Sequence, residues 1–263
     1  MTPRGCRVDR GCDGCSTPPL VPVPVPGLDV KRRTALSWLG ATLSSAAAAA
    51  GTSESHPRSY TVEDRLRLHA PAVERRLKRK FASAGLPYPP AALTYVVFKD
   101  VARMEVYARA TAAGAWRRVV AYPILRMSGT LGPKLREGDG QVPEGVYRAE
   151  FLNANSRFHL SIRLDYPNAF DRAQARAEGR THLGSDIMIH GSNVSIGCMA
   201  MGDQAAEDLF ILAALTGKER VSIVVAPTDF RRPAARVPKG GPPWAAALYR
   251  HIKAALNPLP GAD

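Results

Sequence analysis

Between residues 93 and 227 the apolar residues come in short runs, and this limits the fold more than any other feature of the sequence. Tyr95-Val-Val-Phe98, Met104-Glu-Val-Tyr107, Val119 to Leu125, Gly145 to Phe151, Phe158 to Leu164, Ile187 to Ile189 and Val221 to Ala226 are rich in β-branched and aromatic residues. Gly, Pro, Asn and Asp, the residues that turn a chain, separate them. One strong helical pattern interrupts, Asp203 to Leu212, with Asp203 as candidate N-cap and Gly217 as stop. The expected architecture is mostly β with flanking helices: a mostly antiparallel sheet or small sandwich, with a helix after residue 201.

Residues 51–92 read as a helical N-terminal segment. Thr61 stands as a cap before Val-Glu63-Asp64, and Leu66, Val73, Leu77 and Phe81 keep a helical stripe while arginines and lysines take the other faces. Gly85 and the Pro87 to Pro90 cluster stop it. Residues 228–263 read as a linker, marked by Pro233, Pro238 and Gly240 to Pro243, and a closing helix in which Trp244, Leu248, Ile252 and Leu256 recur every fourth residue.

The start of the chain has another character. Lys31-Arg32-Arg33, the short apolar stretch Thr34 to Leu43 and the Ser/Ala run to Ala50 have the charged, apolar and small-residue zones of an export signal at 31–50. The paired arginines fit either general secretion or the twin-arginine route. The apolar run is too short for a lasting membrane span, and no cysteine follows it to carry a lipid, so no stable membrane anchor is expected. Residues 1–30, with Cys6, Cys12 and Cys15 and a Pro-Val run, read as a disordered extension or an over-long gene model. The expected location is the periplasm or cell envelope.

The formal charge is +13. The first fifty residues hold six Lys/Arg against three Asp/Glu, leaving thirty against twenty in the body. A basic body suits polyanionic surroundings, including an acidic envelope polymer. The interleaved aromatic and basic residues of nucleic-acid readers are missing, and with the export signal this argues against nucleic acid.

After residue 50 the sequence has one cysteine, in Ile187-Met-Ile-His190-Gly191-Ser192-Asn193-Val194-Ser195-Ile196-Gly197-Cys198-Met199. A short strand brings His190 to its end, a Gly/Ser/Asn loop turns the chain, and Cys198 leads toward the helix. Either residue alone reads as a packing residue: a small buried hydrophobe, a satisfied strand-end histidine. Together they suit nucleophilic acyl transfer, in which an imidazole takes the thiol proton and backbone amides near Gly197 hold the oxyanion. His159, His182, His190 and Cys198 show no tight metal-ligand spacing, so neither metal nor cofactor is expected.

Residues 94–226 resemble the YkuD-type L,D-transpeptidase catalytic domain family, in its YafK-like branch. The resemblance rests on Gly132-Pro-Lys134 with Glu137-Gly-Asp139-Gly140, Pro143-Glu-Gly145-Val-Tyr147, Ser156-x-Phe158-His159-Leu160-Ser161, Tyr166-Pro-Asn168-Ala-Phe170-Asp171, and Ile189-His190-Gly191 followed by Ser195-x-Gly197-Cys198. It implies a YkuD-like β-sandwich over 93–227, acting on peptidoglycan stem peptides in cell-wall biogenesis or degradation and in cell shape. Cys198 matches the nucleophile, His190 the general base, Gly197 the glycine before the nucleophile and Ser195 the small hydroxyl residue of the family motif. His159, Tyr166 and Gly191 are the candidate substrate-binding residues, and Glu137, Asp139, Arg126, Lys134 and Arg136 the charged groups of nearby turns.

Three departures stand beside these matches. Ile196 occupies the position of a second histidine, Met199-Ala-Met201 replaces the usual Arg or Asn after the cysteine, and His190 and Cys198 are only eight positions apart. The expected reaction is L,D-transpeptidation through a thioester to diaminopimelate. The departures lean toward hydrolysis by the same chemistry, as an L,D-carboxypeptidase or an amidase releasing a group such as an envelope protein linked to diaminopimelate. A non-catalytic envelope-binding module is the reading from another class.

Overall fold

The computed structural model describes residues 59–261 apart from 234, 236, 237 and 239. The expectations for residues 1–30, with their three cysteines, and for the export signal at 31–50 lie outside the described residues.

Helix α1 (Val62–Ser83) opens with a capping box: the Asp64 amide donates to the Thr61 hydroxyl at 3.1 Å, and the Thr61 amide donates to the Asp64 carboxylate at 2.9 Å. Its buried stripe is Val73, Leu77 and Phe81. Each is worth roughly 1.5–3 kcal/mol of transfer free energy before conformational entropy is charged against it.

The strands are β1 (Ala92–Phe98), β2 (Arg103–Arg109), β3 (Arg117–Pro123), β4 (Arg126–Met127), β5 (Gly145–Ser156), β6 (His159–Leu164), β7 (Met188–His190), β8 (Met199–Ala200) and β9 (Val221–Ala226). Three further helices join them: α2 (Ala169–Ala177), α3 (Asp203–Thr216) and α4 (Ala245–Leu256). The strands form one curled sheet in the order β3-β2-β1-β9-β5-β6-β7-β8-β4. Its two halves meet in β5, which pairs with β9 through Gly145–Arg148 and with β6 from Ala149 onward. Most pairings are antiparallel; β1 with β9 and β7 with β8 are parallel.

The central strands are apolar without alternation because both faces are covered. Leu93, Tyr95 and Val97 of β1 and Val221, Ile223 and Val225 of β9 join the core that includes α1 and α3. Val96, Phe98, Val224 and Ala226 face the other way, against Leu248, Ile252 and Leu256 of α4.

Two local readings need correction. Helix α2 is an additional helix within the β-rich stretch: Asn168 caps it through the amides of Phe170 and Asp171, and Asp171 returns the bond to the Asn168 amide. Asp203 is the first residue of α3 and not its cap. Gly202 holds the cap position at φ +76°, and the Asp203 carboxylate instead accepts the Ser192 amide at 2.7 Å. The chain needs a left-handed residue at 202, which glycine supplies without a Cβ penalty.

Candidate active site

The site lies where β7 and β8 run parallel. Ile189 pairs with Met199 and His190 with Ala200. Cys198 directly precedes β8, and the Met188 amide of β7 lies against its thiol. Parallel pairing thus brings His190 and Cys198, the expected base and nucleophile, to one short strand pair.

His190 is 2% exposed. Its Nδ1 is 2.6 Å from the Gly191 carbonyl oxygen, which can only accept, so Nδ1 carries the proton and Nε2 keeps a lone pair. Burial pushes the imidazole below its ordinary pKa, opposed by the Gly191 carbonyl. The neutral ring is therefore the resting form. The Phe158 ring covers it at a centroid distance of 4.8 Å and a tilt of 32°.

Cys198 is partly buried and a free thiol. Its Sγ is 3.5 Å from the Asp186 carbonyl oxygen, to which it donates. Burial pushes its pKa above the ordinary thiol value, and the Asp186 charge adds to this; the Met188 amide and the Lys134 ammonium oppose it. The resting pair is a thiol and a neutral imidazole.

The loop between them is held by hydroxyls. Ser195 Oγ accepts the Cys198 amide at 3.0 Å and donates to the Cys198 carbonyl at 2.6 Å. The Gly197 amide donates to Ser128 Oγ at 2.5 Å, and that hydroxyl donates onward to the Gly140 carbonyl at 2.8 Å. Both amides expected to hold an oxyanion are therefore engaged by serine hydroxyls. Gly197 has φ +92°, a conformation L side chains rarely adopt. Gly191 is required for space: a Cβ there would lie 2.5 Å from Asp203 Oδ1 and 2.8 Å from the Phe158 carbonyl oxygen.

The expected substrate-binding residues divide. Gly191 adjoins His190 directly. His159 directs its ring to two helices: Nε2 is 3.1 Å from Glu207 on α3, and the ring meets His69 of α1 edge-on at 5.3 Å. Tyr166 is buried and its hydroxyl donates to the Leu183 carbonyl at 3.1 Å. It also borders a cleft of about 580 Å³ that it shares with Arg163, Arg172 and Asp186. A second cleft of about 500 Å³, lined by Leu125, Arg126, Ser128 and Leu131 among others, lies on the Ser128 side.

Asp139 organises its turn, accepting the amides of Leu135, Arg136 and Gln141 and the Lys134 ammonium. Lys134 also donates to the Arg136 carbonyl at 2.8 Å, so its charge near Cys198 is fixed by the loop. Residue reading alone did not single out Phe158 and Ser128 as site residues. Phe158 had a signal in its place one residue before His159; Ser128 had none.

A family model described as the L,D-transpeptidase catalytic domain, YkuD, matches residues 94–225. YafK of Escherichia coli (strain K12), named as an L,D-transpeptidase, is 35% identical over 136 residues, which are 50% of this chain and 52% of that protein. The chain thus spans about half the length of the curated relatives it matches. Among solved structures, the helical cell shape determining protein Pgp2 of Campylobacter jejuni is similar at 21% identity over 52% of this chain and 48% of that one, with a TM-score of 0.43. L,D-transpeptidase 1 of Mycobacterium tuberculosis is similar at 16% identity over 51% and 62%, with a TM-score of 0.30. By the match across half its length, this chain belongs to the YkuD family of L,D-transpeptidase catalytic domains.

Proposed function

We propose that this chain is an exported L,D-transpeptidase acting on peptidoglycan stem peptides, with Cys198 as nucleophile and His190 as base. The observation that carries the proposal is the neutral His190 at the end of β7, its Nε2 lone pair available, with a free thiol at Cys198 just before the parallel partner strand β8. The thiol rotates from the Asp186 carbonyl toward Nε2 and yields its proton. Sγ then attacks the carbonyl carbon at the L-centre of diaminopimelate. The tetrahedral oxyanion collapses as the leaving amine takes the proton from His190, and a thioester to Cys198 remains. The side amine of a second stem, deprotonated by His190, cleaves the thioester and completes an L,D cross-link.

The Gly197 and Cys198 amides serve the oxyanion by exchanging Ser128 Oγ and Ser195 Oγ for the substrate oxygen. Arg163 and Arg172 on the Tyr166 side, and Arg126 on the Ser128 side, suit stem carboxylates in the two clefts. Among the described residues no helix is long and apolar enough to cross a membrane.

One observation favours hydrolysis as a second reading. Ile196, at the family's second-histidine position, is 91% exposed. Its side chain offers an acceptor amine no hydrogen bond and leaves the thioester open to water. Incubating the protein with purified muropeptides, with Cys198→Ala in parallel, separates the outcomes by mass spectrometry. A cross-linked dimer marks transfer, a shortened or released stem marks hydrolysis, and no turnover by the unaltered protein overturns both.

A further inference from the structure

Away from Cys198, three elements bring ligating side chains to one point. α1 supplies His69, the start of β6 supplies His159, and α3 supplies Glu207. His69 Nδ1 is 3.2 Å and His159 Nε2 is 3.1 Å from the same carboxylate oxygen, Glu207 Oε1. One ligating atom from each of the three residues lies within 4.8 Å of the other two. His159 reaches this position from a backbone with φ +70°, unusual for a residue other than glycine.

One carboxylate oxygen faces two imidazoles, which it can accept as two donors, and the Nε2 of His69 is buried with no partner. A metal accounts for the same convergence. Bonds of about 2.0–2.2 Å to nitrogen and oxygen in tetrahedral geometry set ligand atoms roughly 3.4 Å apart. Both contacts to Glu207 Oε1 lie within a few tenths of an ångström of that edge. The other carboxylate oxygen is oriented by Arg76, whose Nη2 lies 3.0 Å away, as outer partners orient the ligands of metal sites. The Arg76 charge disfavours a cation held by oxygen alone, so two imidazoles point to a borderline metal over magnesium or calcium.

We infer that His69, His159 and Glu207 form a site for one divalent transition metal of the zinc class, joining α1 to the catalytic sheet. The site has three protein ligands, and a tetrahedral ion there would take a fourth ligand from water. It adjoins the catalytic machinery through the chain: Phe158, next to His159, covers His190, and Gly191 packs against the same turn. Metal would brace the turn behind the base without touching substrate.

The test uses the full chain, stripped with a chelator and titrated with Co²⁺ and then Zn²⁺. One equivalent of Co²⁺ giving visible d–d absorption, displaced by Zn²⁺ and unchanged in Cys198→Ala, is the expected result. His69→Gln and His159→Gln should each weaken binding by more than about 100-fold, since outer partners alone are worth about 10–100-fold. Glu207→Gln keeps the shape of the carboxylate and should weaken binding similarly, so it reports even if a histidine variant fails to fold. Failure to bind one equivalent, binding that persists in folded His69→Gln and His159→Gln, full affinity in Glu207→Gln, or loss of binding in Cys198→Ala would each overturn the inference.

Discussion

The Nδ1 of His190 donates to the carbonyl of Gly191 at 2.6 Å, so the imidazole is fixed in one tautomer by its own neighbour in the chain. No carboxylate is needed for that orientation. A carboxylate would stabilise the imidazolium, whereas a carbonyl beside a buried ring leaves the neutral form favoured.

The pH behaviour of the thiol follows. With the His190 pKa pushed down and the Cys198 pKa pushed up, thiol and neutral imidazole are favoured over a thiolate–imidazolium pair at neutral pH. Alkylation of Cys198 by iodoacetamide, followed by mass spectrometry, should therefore accelerate with a midpoint above the ordinary thiol value of 9.0. A midpoint below 7 would mean a preformed ion pair. The sign for stability is also set: His190 binds a proton more readily unfolded than folded. Its contribution is complete above about pH 6.5 and is lost as the pH falls toward the depressed folded value.

Ser128 offers a test of the oxyanion donors. Ser128→Ala removes the acceptor of the Gly197 amide and should cost about 1 kcal/mol of stability. Because the amide itself remains free for substrate, turnover of a muropeptide should fall less than about tenfold, while Cys198→Ala abolishes it. A loss of about 100-fold or more with Ser128→Ala, the scale of a deleted oxyanion donor, would assign the stabilisation to the hydroxyl instead.

Beneath the same loop lies a buried ion pair. Lys99 Nζ is 3.0 Å from Glu144 Oε1, with the two side chains 2% and 0% exposed. Lys99 also donates to the carbonyls of Gly132 and Val142, and Glu144 accepts the Gly132 amide at 2.6 Å. Lys99→Met leaves the carboxylate buried without its cation and should destabilise the fold by about 3–5 kcal/mol. Adding Glu144→Gln should restore part of that loss. Urea unfolding of the two single variants and the double variant measures the coupling.

The central strands were legible because their signal is local: β1 and β9 are continuous β-branched and aromatic runs. Helix α2 was not, since Ala175 is its only buried residue and its start depends on the Asn168–Asp171 box, which reads equally as a turn. Cys198 and His190 are proposed as a pair from residue types near one another in sequence. The direction of His159 was not legible, because Glu207 and His69 lie 48 and 90 positions away and α1 and α3 must first pack on the sheet. Likewise, Ser128 reaches Gly197 only because β4 pairs with β8.

On the proposed mechanism, Ile196 stands where the second substrate of the thioester would be selected. A side chain 91% exposed contributes little to the core, so replacing it should change stability by no more than about 0.5 kcal/mol. Ile196→His restores a hydrogen-bonding group at the loop position just before Gly197, where an acceptor amine would approach the thioester. The variant should raise the ratio of cross-linked to hydrolysed muropeptide several-fold, with the rate of Cys198 acylation unchanged, because the base and nucleophile are untouched. Mass spectrometry of products, with acylation followed separately as the intact thioester, reads both quantities. An unchanged product ratio at full acylation would place acceptor selection elsewhere, with the clefts lined by Arg126 and Arg163 as the next positions to alter.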